Sequence, residues 1–263
     1  MSEQQSPEAI QKMAHAQFAP VASAYVASTS HAHGGDLQRL IELTRPTRTD
    51  ILLDVATGGG HTALAFAPHV GHVVASDLTL SMLQESRKHI APQGYRNLSF
   101  CRAPAEALPF AASSFNIVSC RVAAHHFGDI RAFVREAARV LRPGGWLIVS
   151  DHIGIEDPDL DRFMDRFERW RDPSHVRSYT FGEWRDFCED ARLSVALTEA
   201  YQWPHYEFPS WTARIRMPED ERAKLEQWLL DAEPRYRDYF QITAEDGRVQ
   251  SIRSTFGIVL ARK

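Results

Sequence analysis

The chain has 263 residues, room for one large α/β domain or a domain with an inserted cap, and its 44% hydrophobic content permits a sizeable core. A formal net charge of −4 leaves no global basic field to recruit nucleic acid. No run approaches the roughly 20 apolar residues of a membrane helix, the polar start carries no signal pattern, and Cys101, Cys120 and Cys188 lack metal or disulfide spacing. A cytoplasmic chain is expected, with no membrane insertion, no nucleic-acid partner and no metal.

In chain order, residues 7–45 read as two or three helices, broken near Pro20 and at Gly34-Gly35. Strands are predicted at 51–55, 72–76, 97–102, 115–119 and 146–151, with helices at 60–67, 80–90 and 130–141, the last closed by Pro143-Gly144. This alternation implies a parallel sheet with right-handed crossovers. Beyond residue 152 the pattern changes. Residues 160–170 and 181–191 are amphipathic helices, 195–201 a strand, 218–232 a charged helix, and 249–260 a strand pair interrupted at Gly257. The insertion at 203–247 is expected to act as a cap or as a homodimer contact.

The segment 51–60 is the most informative. An apolar run ends in Asp54, a glycine-rich turn follows at once, and a helix begins after it. That is the nucleotide-binding corner of a doubly wound α/β sheet. A second run ends in Asp77, 23 positions after Asp54, where a carboxylate can grip a ribose diol. Gly58-x-Gly60-x-x-Ala63 also satisfies the loose dinucleotide fingerprint, so the glycines alone decide nothing. Asp54 discriminates. A pyrophosphate at the helix N-terminus would be repelled by it, whereas a ligand with a cationic amino-acid end and an adenosine end would tolerate it. S-adenosylmethionine is such a ligand.

Residues 54–60 resemble motif I of the class I S-adenosylmethionine-dependent methyltransferases. Residues 103–110 and 114–119 resemble their third- and fourth-strand motifs, and 141–150 the turn into their fifth strand. The resemblance is strongest over 48–152 and nearest to the small-molecule branch that includes the quinone-biosynthesis C-methyltransferases. It extends more weakly to residues 18–25, 31–37 and 171–175. It implies a doubly wound, seven-stranded, mostly parallel Rossmann-like sheet with an antiparallel final strand, a helical lid at 1–45, a core at 46–202, the cap at 203–247 and final strands at 248–263. Two departures stand out. Ala56 replaces the first glycine of the motif. Pro104 sits where many relatives carry an aspartate for the adenine amine, and a proline offers neither that acceptor nor an N–H.

The cofactor set expected from these motifs is Asp54, Ala56, Thr57, Gly58, Gly60, Asp77, Leu78, Met82, Ala105, Glu106, Arg121 and Val122. Gly58 and Gly60 would bring backbone close to the methionine part. Thr57 would bind the donor carboxylate or cap a helix. Asp77 would take the ribose, with Leu78 and Met82 flanking adenine. Arg121 and Val122 would sit near the methionine moiety, because strand ends line the ligand crevice. Methyl transfer needs reactants held in line, and a base only where the acceptor loses a proton. Candidates for that base are His126, preferred, and His125, against helix capping and packing. Tyr25, Ser28 and His31 share a helical face of the lid, against ordinary packing. The loop 171–177 is expected to touch substrate or to be a solvated connection, and Trp203, Tyr206, Phe208 and Trp211 to line an apolar acceptor pocket or to be core. The reading is methyl transfer to carbon or oxygen of a small aromatic or apolar molecule, with S-adenosylhomocysteine as product. The alternatives are a non-enzymatic S-adenosylmethionine-binding protein and an NAD-dependent oxidoreductase. An arsenite-type methyltransferase would need clustered thiols.

Overall fold

A computed structural model describes residues 6–23, 35–201 and 205–263. After α1 (Pro7–Phe18) and α2 (Gly35–Thr44), strands and helices alternate: β1 (Ile51–Val55), α3 (His61–Phe66), β2 (His72–Asp77), α4 (Leu80–Ile90), β3 (Leu98–Arg102), β4 (Phe115–Arg121), α5 (Ile130–Val140) and β5 (Leu141–His152). Then come α6 (Pro158–Arg171), α7 (Phe181–Asp190) and β6 (Ser194–Tyr201). The cap holds β7 (Tyr206–Glu207), α8 (Phe208–Arg214), α9 (Glu219–Leu230), α10 (Pro234–Tyr239), β8 (Thr243–Glu245) and β9 (Arg248–Ile252), before β10 (Phe256–Arg262).

The large sheet has seven strands in the order β3-β2-β1-β4-β5-β10-β6. β1 to β5 run parallel, and β10 is antiparallel to both β5 and β6. This is a Rossmann-like fold, with the chain reversing sides between β1 and β4, where ligands bind in open α/β sheets. β1, β2 and β4 are buried along nearly their whole length, so they read as apolar runs rather than as an alternation. One face packs on Phe133, Val134 and Ala137 of α5 and on Trp184 and Phe187 of α7. The other packs on Leu40 of α2, Ala63 and Phe66 of α3, and Ile90 of α4. Side-chain caps start α5, α6 and α7. Asp129 opens α5, Asp157 opens α6, and Thr180 with Glu183 forms a capping box on α7.

The cap has its own core, built from Phe163 and Phe167 of α6, Trp211, Leu225, Leu229, Phe240 and Ile252. It also has a three-stranded sheet, β7-β9-β8. Residues 249–260 differ from expectation. The chain leaves the small sheet after Ile252 and enters the large one at Phe256, so the interruption lies at 253–255 and not at Gly257. Gly257 is interior to β10, because a Cβ there would lie 2.5 Å from the Phe181 ring. No helix among the described residues is long and apolar enough to cross a membrane.

Candidate active site

The turn after β1 is built on left-handed backbone: φ is +54° at Ala56, +52° at Gly58 and +82° at Gly60. Ala56 therefore adopts the conformation a glycine would favour. At Gly58 the nearest atom to an added Cβ is 4.0 Å away, so space lies open beside the backbone. Gly60 has another reason. A Cβ there would fall 2.2 Å from Ser86 Oγ and 2.8 Å from Ile90 Cδ1, so this glycine lets α4 pack against the turn.

Asp54 lies beneath the turn. It accepts hydrogen bonds from the hydroxyls of Thr57 (2.6 Å) and Ser119 (2.8 Å) and is fully buried. Burial pushes its pKa up to about 6, against those two hydrogen bonds. Asp77, at the end of β2, accepts the Gly58 N–H (3.0 Å) and the Thr79 N–H (2.8 Å), and burial pushes it likewise to about 6.

Asp77 opens on a cavity of about 120 Å³ lined by Ala56, Gly58, Leu78, Met82, Ala105, Glu106 and Val122. Gln11, Ala14 and Phe18 of α1 close it from above. Glu106 accepts hydrogen bonds from Gln11 Nε2 (3.1 Å) and from the Gly128 N–H (3.1 Å), tying α1 to the cavity rim. A second cavity of about 50 Å³ lies beyond Val122. Phe18, Val122 and His126 line both. Val122 holds φ at +51°, a strained value for a β-branched residue.

The second cavity gathers titratable side chains among apolar ones. His125, His152 and His175 face it with Glu168, Arg171, Asp172, Tyr206 and Trp211. Burial opposes charge on His125, but Asp151 at 2.5 Å outweighs it, and the pKa is raised. Asp151 also accepts backbone N–H groups of Ala123, Ala124, His125 and His152. His126 Nδ1 lies 3.0 Å from the Ser174 carbonyl, which can only accept. The proton is therefore on Nδ1 and the lone pair on Nε2. Burial and the neighbouring His125 lower the His126 pKa to about 4. Burial also holds His152 and His175 neutral and raises Glu168 to about 7.

The Methyltransferase domain family matches residues 53–149, from inside β1 to inside β5. Over 226 residues the chain is 37% identical to YcgJ, an uncharacterized methyltransferase of Bacillus subtilis (strain 168), covering 86% of this chain and 89% of that protein. The crystal structure of YcgJ superposes with a TM-score of 0.83 at 34% identity, over 88% of this chain and 99% of that one. The chain belongs to the class I S-adenosylmethionine-dependent methyltransferases. It is also similar to YafE of Escherichia coli (strain K12), 37% identical over 183 residues, 70% of this chain and 88% of that one. A third relative is the demethylmenaquinone methyltransferase of Clavibacter sepedonicus, 30% identical over 202 residues, 74% of this chain and 78% of that one.

In this methyltransferase the structure gathers Ala56, Gly58, Asp77, Leu78, Met82, Ala105, Glu106 and Val122 around one cavity. Four other residues of the expected cofactor set lie elsewhere. Asp54 and Thr57 bond each other under the turn, and Gly60 faces α4. Arg121 forms a buried two-point pair with Asp36 of α2, at 2.6 and 2.9 Å. His126 is at the junction, while His125 is held by Asp151. Tyr25, Ser28, His31 and Trp203 lie outside the described residues. Arg171, Asp172 and His175 of the 171–177 loop reach the second cavity, as do Tyr206 and Trp211, whereas Phe208 is buried in the cap core. Asp151, His152 and Glu168 were not anticipated. Asp151-His152 ends the apolar run of β5 as Asp54 and Asp77 end theirs, and that pattern could have found them.

Proposed function

We propose that S-adenosylmethionine occupies the first cavity, that a small methyl acceptor occupies the second, and that the methyl group crosses between Phe18, Val122 and His126. The observation that carries this reading is the wall the two cavities share. The donor supplies a methyl group already activated on a sulfonium. The chain has only to bind, align and exclude water.

Asp77 accepts from the ribose diol. The open backbone face at Gly58 receives the methionine part, and Leu78 and Met82 flank adenine. With Pro104 offering no acceptor, adenine rests on the apolar walls of Ala103 and Ala105. At about 120 Å³ the cavity is below the roughly 300 Å³ at the lower end of small-molecule sites. Entry therefore requires α1 to move, with the Gln11–Glu106 bond as its latch, so α1 acts as the lid.

The acceptor is a small aromatic molecule carrying a polar substituent, methylated on carbon or oxygen. Tyr206 and Trp211 stack at 5.2 Å beside the second cavity, while imidazoles and carboxylates form its other walls. The likeness to a demethylmenaquinone methyltransferase supports a ring-bearing acceptor. His126 Nε2 receives the proton that the acceptor loses. Turnover of donor to S-adenosylhomocysteine against a panel of hydroxylated and quinonoid aromatics tests the reading. His126→Gln is expected to lower kcat by about 10²–10⁴ with an active acceptor. Unchanged kcat would remove the base role, and turnover only with aliphatic amines would overturn the acceptor class.

A further inference from the structure

The second cavity carries more metal-ligating groups than methyl transfer needs. One nitrogen or oxygen from each of His125, Asp151 and His152 lies within 4.8 Å of the others, and all three residues are buried. Glu168 Oε1 is 3.5 Å from His152 Nδ1. Glu168 Oε1 and His175 Nε2 have no hydrogen-bond partner, although each residue is only 3% exposed. A buried acceptor left unsatisfied costs about 1–3 kcal/mol, more if charged. Two such atoms facing one cavity indicate that something absent from the protein chain completes them.

We propose that this cluster seats one divalent transition-metal ion, with His125, His152, His175 and Glu168 as ligands and Asp151 orienting His125 from behind. Asp151 fits that supporting place. Its oxygens are already committed to the His125 ring and to four backbone N–H groups. A carboxylate on Nδ1 leaves the other ring nitrogen to bind metal, as in carboxylate–histidine–metal triads.

The spacing is close to what an ion requires. Ligand atoms at 2.0–2.1 Å from a tetrahedral ion lie about 3.4 Å apart, and their imidazole centroids about 5 Å apart. The His152–Glu168 separation is 3.5 Å. The ring centroids of His125, His152 and His175 are 4.6, 5.1 and 6.0 Å apart. His152 Nδ1 meets Ser254 Oγ at 3.1 Å and Nε2 the Tyr206 hydroxyl at 3.4 Å, so the ring exchanges one of these contacts for the ion. Imidazole with one carboxylate suits zinc, iron or cobalt better than magnesium or calcium. Two arginines face the same cavity and oppose a cation. Arg171 is turned to the Trp211 carbonyl and to Asp172, and Asp151, Glu168 and Asp172 supply three carboxylates against Arg171 and Arg214. A water satisfies two of the open atoms, whereas an ion engages four ligands at once. An ion here faces the acceptor cavity, where an acceptor oxygen would be a further ligand. That last point rests on the cavity being the acceptor site.

The test uses cobalt(II) added to the chelator-treated full chain, without cofactor or acceptor. Expected is one ion per chain with visible ligand-field absorption. Affinity should fall about tenfold or more in Glu168→Gln and in His152→Ala, and stay level in His69→Ala, an exposed histidine elsewhere. Pulsed electron paramagnetic resonance of the copper(II)-loaded parent should count at least two bound imidazoles, a readout independent of how any variant folds. Less than one ion at saturation, affinity untouched by both variants, or fewer than two imidazoles would overturn the site and leave a hydrated polar pocket. No methyl transfer enters the measurement, so its failure and that of the proposed reaction are separable.

Discussion

Asp54 and Asp77 flank the same turn, yet only Asp77 opens on the cavity. In the proposed complex it must be charged to accept from the ribose. Its pKa of about 6 then sets the pH range. Affinity for S-adenosylhomocysteine is expected to hold above that value and to weaken as pH falls from 7 to 5. Asp77→Ala should cost roughly ten- to hundredfold, in line with about 1.5–3 kcal/mol for a hydrogen bond to a charged group. Titration calorimetry checks both, and a flat pH profile would remove Asp77 from the ribose. Asp54 gives the opposite kind of signal. Between the roughly 3.9 of an unfolded aspartate and about 6, the folded chain holds the extra proton. Its contribution to stability is therefore lost as pH rises through that window. Asp54→Asn removes the loss, and the hydroxyls of Thr57 and Ser119 can turn to meet an amide. The variant should gain stability relative to the parent between pH 4 and 6 and keep that gain above it. Urea unfolding at both ends decides, and a relative loss with rising pH would mean that Asp54 is held charged.

At the scale of elements, the two glycines of the turn separate by what a methyl group would meet. Gly60→Ala strikes Ser86 and Ile90 on α4 and should destabilise by about 1–3 kcal/mol, the range of core overpacking. Gly58→Ala meets nothing closer than 4.0 Å. It carries only the cost of left-handed backbone, about 1–2 kcal/mol, and should act chiefly on cofactor binding. Thermal melts with and without S-adenosylhomocysteine distinguish the two variants. The contrast also shows what the sequence made legible. The strand–turn–helix corner, the acid that ends β2 and the order of β1 to β5 follow from local patterns, because apolar runs and glycines act within a few residues. The partner of Gly60 could not be read this way, since Ser86 belongs to a helix 26 positions on. The same holds for Arg121, whose charge meets Asp36 across 85 positions. The histidine cavity draws Glu168 and His175 from α6 and the loop after it, and only the packing of that segment over β5 brings them beside His125. The break between β9 and β10 was misplaced for a related reason. A glycine within an apolar run reads as an interruption, but Gly257 is where Phe181 presses on the strand.

For the whole molecule, α1 is the element whose place matters most to access. It closes the first cavity through Gln11, Ala14 and Phe18, and it touches the junction where Phe18 meets the His126 ring edge-on at 4.8 Å. Its own burial is slight, with Ile10 its one buried residue. Such an element opens at low free-energy cost. Amide exchange over residues 7–18 is expected to be fast in the free protein and to slow when S-adenosylhomocysteine is added. Equal protection in both states would make α1 a fixed wall.

The position of β10 bears on how the chain reaches this state during synthesis. Among the described residues β6 pairs in the large sheet with β10 alone, and β10 lies between β5 and β6. When β6 leaves the ribosome, the strand that must separate it from β5 is still more than fifty residues from being made. Until then the exposed edge of β5 is a template open to β6 itself, or to another chain. The cap is translated in that interval, and its core stays incomplete until Phe256 of β10 joins it. β10 is then delivered between two waiting strands as a late, long-range closure, the kind of step that slows folding and exposes intermediates to aggregation.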